Sequence, residues 1–378
     1  MSLLGRAITI YWPKTLEINL NNLKANLRAL KTLVPDGTEI LPVIKNDAYG
    51  HGLLEVAKAL AEEKVYGFGI SELYEGKLLR RAGFIHPLIL LSGFEKDWLP
   101  EIKALRIIPT VTSPISLEWL IDFSLKKALT VEFHLKVDTG MHRFGVTLEE
   151  LPWIIERLKE NPQLHLIGLM THLACAENPE STLFQEQLKN FTEAEALLKR
   201  EGFIPKFKHF CNSAALIFYS GSKGNLVRPG ICLYGAYPTN RARAYVKLKP
   251  VMTLKSRIVE IKRLKPGEMA GYGPTFTAKR ETLLGLVPLG YGDGYPRTLS
   301  NKGFAVVRGK RVPIVGTISM KALYLDLTDI ENPERGEEVI LLGGEREEVP
   351  ADELAQLADT ISYELFCQLG RGIPRRYL

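Results

Sequence analysis

A lysine that closes an apolar run and opens a Gly-rich turn is placed to do chemistry. Lys45, in Val43-Ile44-Lys45-Asn46-Asp47-Ala48-Tyr49-Gly50-His51-Gly52, is such a residue. Leu41 to Ile44 is short and apolar enough for a buried strand, and Asp47, Gly50 and Gly52 mark a turn before a helical pattern from Leu53 to Glu63. At the C-terminal end of a strand a partly desolvated amine can lose its proton and condense with an aldehyde. The plainer alternative is a lysine snorkelling at a sheet edge. Four other positions invite the same double reading. Ser213, in His209-Phe210-Cys211-Asn212-Ser213-Ala214-Ala215, stands where a strand gives way to a helix, either as a simple N-cap or as a seat for a phosphate among unpaired backbone N–H groups. Arg228, ahead of Pro229-Gly230, is either a surface cap on a strand or a permanent positive charge facing a ligand. His172 is either a satisfied core histidine or a working one. Tyr272, in Ala270-Gly271-Tyr272-Gly273-Pro274, needs help to act as a base, because a phenol titrates near pH 10.

The elements that must hold these groups follow from periodicity. Short apolar runs alternate with amphipathic helical ones from about Thr15 to Tyr234, a β/α-barrel rhythm. The strand-like runs are Leu16–Leu20, Glu39–Lys45, Tyr66–Ile70, Leu88–Ser92, Ile107–Val111, Val131–Asp138, Leu164–His172, Phe207–Asn212 and Val227–Leu233. A barrel needs only eight, so one of these runs lies outside it or extends a neighbour. Helical spacing marks Asn21–Leu33, Ser71–Ala82, Pro114–Phe123 and Glu180–Arg200. Beyond Lys247 the pattern turns to β-branched stretches separated by Gly/Pro turns, which predicts an all-β second domain. The boundary is expected within Ala236–Lys247, giving a barrel over 1–240, whose first ~13 residues can pack with the other domain, and a β domain over 241–378.

A hydrophobic content of 46% and a charged content of 24% suit an ordinary soluble enzyme. Lys and Arg exceed Asp and Glu by only 49 − 43 = 6 and are scattered, which argues against a nucleic-acid partner. No stretch reaches the length of a membrane span, and Met1 to Lys14 lacks the pattern of a signal peptide. Cys175, Cys211, Cys232 and Cys367 have neither close pairing nor metal-ligand spacing, so reduced thiols and a cytoplasmic location are expected.

The segment around Lys45 closely resembles the cofactor-lysine signature of the alanine racemase family, which binds pyridoxal 5′-phosphate (PLP). The resemblance recurs around residues 136, 172, 213, 228, 272, 291 and 363, and so spans nearly the whole chain. It implies a TIM-type β/α barrel with a C-terminal β domain. It also implies a racemase that needs a base on each face of the substrate α-carbon, here Lys45 and Tyr272. In the family the two bases come from different subunits of a head-to-tail dimer, which implies an obligate homodimer acting on a small amino acid. Arg228 takes the position beside the pyridine nitrogen, where a guanidinium disfavours a ring proton and makes a weak electron sink that limits transamination. Ser213, with Tyr49, Gly230, Ile231 and Tyr363, matches the phosphate-binding set, and Asn212 joins the cofactor contacts. His172 matches the histidine that contacts the catalytic tyrosine. Arg143, in Lys136-Val137-Asp138-Thr139-Gly140-Met141-His142-Arg143, matches the arginine for the substrate carboxylate, and Lys136 a lysine that is carbamylated in many members. The backbone N–H of Met320 is expected to meet the same carboxylate, and Tyr291 and Tyr363 to gate the site. The product, D-alanine, would feed peptidoglycan synthesis.

The chain departs from the family pattern at the approach to the site. Gly316-Thr317-Ile318-Ser319-Met320-Lys321-Ala322 has Thr317 for a usual arginine and Lys321 for a usual aspartate. Glu177, Cys175 and His142 replace the usual aspartate, alanine and glycine. These changes bear on substrate range more than on chemistry, so a broad-specificity or lysine/serine racemase is the alternative. A PLP amino-acid decarboxylase is disfavoured by Arg228, since such enzymes generally pair the ring nitrogen with an acid. A non-catalytic PLP-binding protein would end near Tyr234, leaving the second domain unexplained.

Overall fold

The computed structural model describes residues 13–378. They form two compact units, one of Leu20–Lys249 and one of Pro250–Leu378 with the segment ending at Asn19, so the units divide at Asn19/Leu20 and Lys249/Pro250 instead of near residue 240.

The first unit is a curled α/β barrel of eight parallel positions. Hydrogen-bonded runs are Glu39–Ile40, Phe68–Ile70, Leu88–Leu90, Ile107–Ile108 with Thr110–Val111, Val131–Lys136, Leu164–Met170, Phe207–His209 and Leu226–Val227. Pro109 splits one of these positions in two, as a residue without an N–H must. The ring closes through Leu41 N–H to the Val227 carbonyl (2.9 Å), Ile44 N–H to Gly69 (3.0 Å), and Asn225 N–H to Lys208 (3.1 Å). Its interior includes a cluster of Leu41, Ile89, Phe207 and Leu226, against which Tyr66, Leu91 and Ile108 pack. Helices outside the ring begin where sequence caps them: Ser113 accepts the Ser116 N–H ahead of Pro114–Lys127, and Ser181 the Phe184 N–H ahead of Thr182–Arg200.

The second unit is β-rich. Its nine-stranded sheet runs Glu260–Leu264, Thr282–Val287, Leu323–Asp326, Lys310–Val315, Phe304–Val307, Glu338–Leu342, Met252–Arg257, Lys14–Ile18 and Arg375–Tyr377. The strand Lys14–Ile18 pairs antiparallel with Met252–Arg257, which identifies the first of the nine strand-like runs as the one outside the barrel. Its burial alternates as expected for a strand with one face on a core. Pro13 also belongs here, its carbonyl accepting from Ser256 Oγ (2.8 Å); the rest of the N-terminal segment expected to pack with this unit lies outside the described residues. A short hairpin, Met269–Ala270 with Phe276–Thr277, carries Tyr272 at its turn. Two helices, Ala351–Leu357 and Ser362–Leu369, add to an otherwise β architecture, and the second carries Tyr363. No helix among the described residues is long and apolar enough to cross a membrane.

Candidate active site

Lys45 follows an extended segment tied on both sides, by Val43 N–H to the Pro229 carbonyl (2.9 Å) and by Ile44 N–H to Gly69. The backbone then reverses hand. Asn46, Asp47, Ala48 and Tyr49 all have φ near +54°, a full left-handed turn of non-glycine residues. Each such residue costs roughly 1–2 kcal/mol against the right-handed form, so the turn persists only because neighbours hold it. The Asn46 N–H donates to the buried carboxylate of Glu75, and Asp47 Oδ1 accepts the Leu53 N–H (2.7 Å). Glu75 also takes the N–H groups of Ser71 (2.8 Å) and Glu72 (3.1 Å). Burial raises its pKa, against the pull of those three N–H groups. Sequence reasoning placed Lys45 at a strand end but saw neither the reversal nor Glu75.

Arg228 is 3% exposed and spends its guanidinium inward. Nη1 donates to the His209 carbonyl (2.6 Å) and Nδ1 (3.0 Å), and Nη2 to the Thr171 carbonyl (2.7 Å). His209 Nε2 lies 2.8 Å from His134 Nδ1, and neither ring is solvent-exposed. Burial first, then neighbouring positive charge, drives His134 down to about 3, and His209 is likewise held well below the ordinary imidazole range, so both are neutral. Burial lowers Arg228 to about 10, which leaves it charged at neutral pH. Neither histidine was singled out in the sequence. The available signal was period two: His134 and Lys136 are alternate residues of one strand and share its inner face.

Asn212, not Ser213, is the N-cap of Ser213–Phe218. Its Oδ1 accepts the N–H groups of Ala214 and Ala215 (both 3.0 Å). An Asn just ahead wins because its side-chain oxygen reaches both amides at once. That frees Ser213 Oγ to accept the Gly230 N–H (2.9 Å) and Cys232 N–H (3.4 Å), locking two segments together. A Cβ on Gly230 would fall 2.6 Å from Tyr49 Oη, so the bare Cα is what admits the phenol to this corner. Ser213, Gly230 and Tyr49 thus meet in one corner, with Ile231 next in the chain.

Lys136 is buried, and its pKa falls to about 7, first through burial and then through the charges of Arg228, Arg143 and Lys45. The same neighbours, after burial, hold half-buried His172 well below its ordinary value. The barrel therefore gathers Lys45, Lys136, Arg143 and Arg228 within electrostatic reach of one another. Arg143 itself is exposed on a loop shaped by Asp138 Oδ1, which accepts the N–H groups of Gly140 (3.0 Å), Met141 (3.0 Å) and His142 (3.1 Å). His142 has φ +54°, which explains on conformational grounds why glycine is usual there. Glu177 and Cys175 take local roles, the first through its carbonyl to Arg241 Nη2 (2.6 Å) and the second through Sγ to Ser181 Oγ (3.0 Å).

In the β-rich unit, Tyr272 is 74% exposed between Gly271 (φ +81°) and Gly273 (φ +67°). Thr317 Oγ1 donates to the Tyr272 carbonyl (2.8 Å) and lies 3.1 Å from Thr275 Oγ1, so the departure from arginine places a short tether under the tyrosine. Tyr291 and Met320 lie on opposed loops joined by Tyr291 N–H to Ser319 (3.1 Å) and Gly292 N–H to Met320 (2.9 Å). A Cβ on Gly290 would sit 2.0 Å from the Ser319 carbonyl, so only glycine allows that approach. Lys321 binds Asp293 Oδ1 (2.5 Å), whose other oxygen meets Lys14 (2.8 Å). Burial would raise the Asp293 pKa, but the two lysines and the Gly290 N–H outweigh it and hold the carboxyl low. Tyr363 is half-buried in the first turn of its helix.

Comparison with known proteins agrees along the full length. The family model of the alanine racemase N-terminal domain matches residues 18–238, and that of the C-terminal domain residues 251–377. A curated alanine racemase of Sorangium cellulosum is 38% identical over 97% of this chain and 99% of its own. Among solved structures, alanine racemase of Clostridium difficile superposes with a TM-score of 0.90 at 33% identity, covering 98% of this chain and 97% of that one. The alanine racemase of a D-cycloserine-producing Streptomyces lavendulae gives 0.90 at 31% identity, with 97% of each chain covered.

Proposed function

Because the chain belongs to the alanine racemase family, we propose that it interconverts L- and D-alanine by two-base proton transfer. Lys45 is one base and Tyr272 of the partner subunit is the other. The observation that carries this reading is the gathering of Lys45, Lys136, Arg143 and Arg228 at one end of the barrel, each close enough to depress the Lys136 ammonium. Such a cluster calls for anions, and a phosphorylated cofactor with an amino-acid carboxylate would supply them.

The residues fit PLP. Lys45 would hold its aldehyde, Ser213, Gly230, Ile231 and Tyr49 its phosphate with Tyr363, and Arg228 its ring nitrogen, with Asn212 and His172 at the margin. When bound, PLP supplies an electron-withdrawing ring that acidifies the α-carbon of the amino acid. Lys45 Nζ holds or takes the α-proton on one face. Tyr272 Oη of the partner subunit does so on the other, with neutral His172 able to accept a hydrogen bond there. Arg143 binds the substrate carboxylate, joined by the N–H of Met320 of the partner subunit, and Tyr291 of the partner subunit narrows the approach. A carbamate on Lys136 would neutralise part of the cationic cluster and orient Arg143. Burial favours this modification, because an amine near pH 7 is substantially unprotonated and can add to carbon dioxide with release of a proton.

The 74% exposure of Tyr272 in the single chain supports a homodimer with shared sites, since a proton-transferring group works best out of bulk water. D-Alanine for peptidoglycan, made in the cytoplasm, is the corresponding cellular role. A broader substrate range is supported by Thr317, whose small side chain is spent on the Tyr272 carbonyl where a long cation is usual. Proton NMR of the PLP-loaded enzyme in deuterated water, with L-alanine, L-serine and L-lysine in turn, tests both readings. Loss of the α-proton signal with D-enantiomer and no amine product is expected, fastest with alanine. No exchange with any of the three despite bound PLP would overturn the racemase assignment.

A further inference from the structure

We propose that His134 is a positioning residue: by accepting a hydrogen bond from His209 it fixes the tautomer and ring orientation of that histidine, and so the aim of Arg228 at the cofactor ring nitrogen. The last step rests on the role of Arg228 given above.

The direction of the chain follows from valence. A guanidinium has five N–H donors and no lone pair to offer, so His209 Nδ1, 3.0 Å from Arg228 Nη1, must be the acceptor. The His209 proton is then on Nε2, which donates to His134 Nδ1 at 2.8 Å. That leaves the His134 proton on Nε2. Every link points one way, from Arg228 to His209 to His134, and both imidazoles are neutral. A proton added to Nδ1 of either ring would set N–H against N–H in a dry interior. The alternative tautomer of His209 would do the same to Arg228.

His134 can hold this post because its ring is buried and closely packed. It lies on the strand position opposite Gly168, and a Cβ there would come within 2.5 Å of His134 Cε1 and Nδ1. Glycine at 168 is therefore the floor on which the ring lies. The aromatic edge of His209 packs at 72° to it, with centroids 4.8 Å apart. Without His134, the Nε2–H of His209 would be left in the barrel interior with that partner lost, and the ring would turn toward another acceptor, carrying Arg228 with it.

The test is nitrogen NMR of holoenzyme labelled with ¹⁵N-histidine. The chain has seven histidines, which single substitutions assign. Both His209 and His134 are expected with protonated Nε2 and bare Nδ1 at neutral pH. A proton on His209 Nδ1, or a doubly protonated ring at either position, would overturn the proposal. His134→Leu removes the acceptor, and His134→Asn returns one near Nδ1. In the first variant the single His209 tautomer should be lost, the cofactor absorbance should shift, and kcat should fall about tenfold, as when the outer partner of a metal-bound histidine is removed. In the second, kcat should stay within about twofold of the parent. Equal losses in both, or an unaltered His209 signal in the leucine variant, would also overturn it. If neither variant folds, the tautomers of the parent enzyme decide. If the tautomers are as drawn but Arg228→Lys leaves the cofactor absorbance unchanged, the reading of Arg228 fails and the His134–His209 link stands.

Discussion

The barrel and the β-rich unit bring opposite kinds of group to this chemistry. Arg228, His209, His134 and Lys136 are buried, and the first three form a hydrogen-bonded chain whose charges are decided before any ligand arrives. Tyr272, Tyr291 and Met320 are exposed and held mainly by backbone contacts beneath them. Desolvation tunes the cofactor side once and for all, because moving a buried charge is costly. Exposure leaves the β-rich side adaptable, and two of the departures from the family pattern, Thr317 and Lys321, fall there, while His142, Cys175 and Glu177 fall at the rim of the barrel unit. On the proposed mechanism, electronic control would sit in the dry region and substrate selection in the wet one.

The largest expected effect comes from deleting a base on the dry side. Lys45→Ala should lower racemisation by at least about 10³-fold, within the 10²–10⁴ range of a positioned acid–base group plus loss of the cofactor attachment. Steady-state turnover measures this; activity within tenfold of the parent would remove Lys45 from the mechanism. Mixing Lys45→Ala with Tyr272→Phe chains sharpens the contrast. If the two sides come from different subunits, each mixed dimer carries one site with both lesions and one intact site, so inactive parents should regain activity on mixing. No recovery in verified mixed dimers would argue that both bases belong to one chain. Next in size is Thr317→Val, which removes the tether to the Tyr272 carbonyl together with the weaker contact to Thr275 Oγ1. A fall in kcat of about tenfold is expected, consistent with one hydrogen bond of about 0.5–1.5 kcal/mol, while PLP affinity stays unchanged. Thr317→Arg should instead narrow the substrate range, read from rates with alanine and lysine.

Lys136 gives a pH signature on the dry side. Its folded pKa, about 7, lies below the ordinary 10.5, so the unfolded chain binds the extra proton. Its contribution to stability therefore opposes folding in full below pH 7 and is relieved as pH rises from about 7 toward 10.5. Lys136→Met should flatten the stability profile in that window in urea titrations; an unchanged profile would show the ammonium is not penalised. The smallest effect is His142→Gly, which should stabilise the protein by about 0.5–1 kcal/mol, the relief of a left-handed residue less the entropy glycine adds to the unfolded chain.

Much of this was legible in the sequence. Lys45, Ser213, Arg228 and Tyr272 stand in turn-forming contexts that left plain readings open until the family resemblance assigned them roles, and the barrel rhythm of alternating runs survives as eight strand positions. What was not legible depends on partners far along the chain. Lys14–Ile18 reads like the barrel strands, and only pairing with Met252–Arg257 assigns it elsewhere. Asn212 and Ser213 are both good caps, and only the fold shows Asn212 taking the two helix amides while the serine hydroxyl serves Gly230 and Cys232. Propensity rules give left-handed backbone to isolated residues, so four in a row after Lys45 carry no local signal beyond Asn46, Asp47 and the glycine that follows.

That reversed turn limits how the lysine motif can be moved. A designer who copies residues 43–52 onto another barrel copies a sequence whose preferred hand is wrong. The native hand is held in part by Glu75, an acid 29 positions downstream of Asn46 whose carboxylate takes the Asn46 N–H. The transferable unit is thus the lysine loop together with the helix that carries Glu75, and a graft lacking that helix should relax to a right-handed turn that points the amine away from its target.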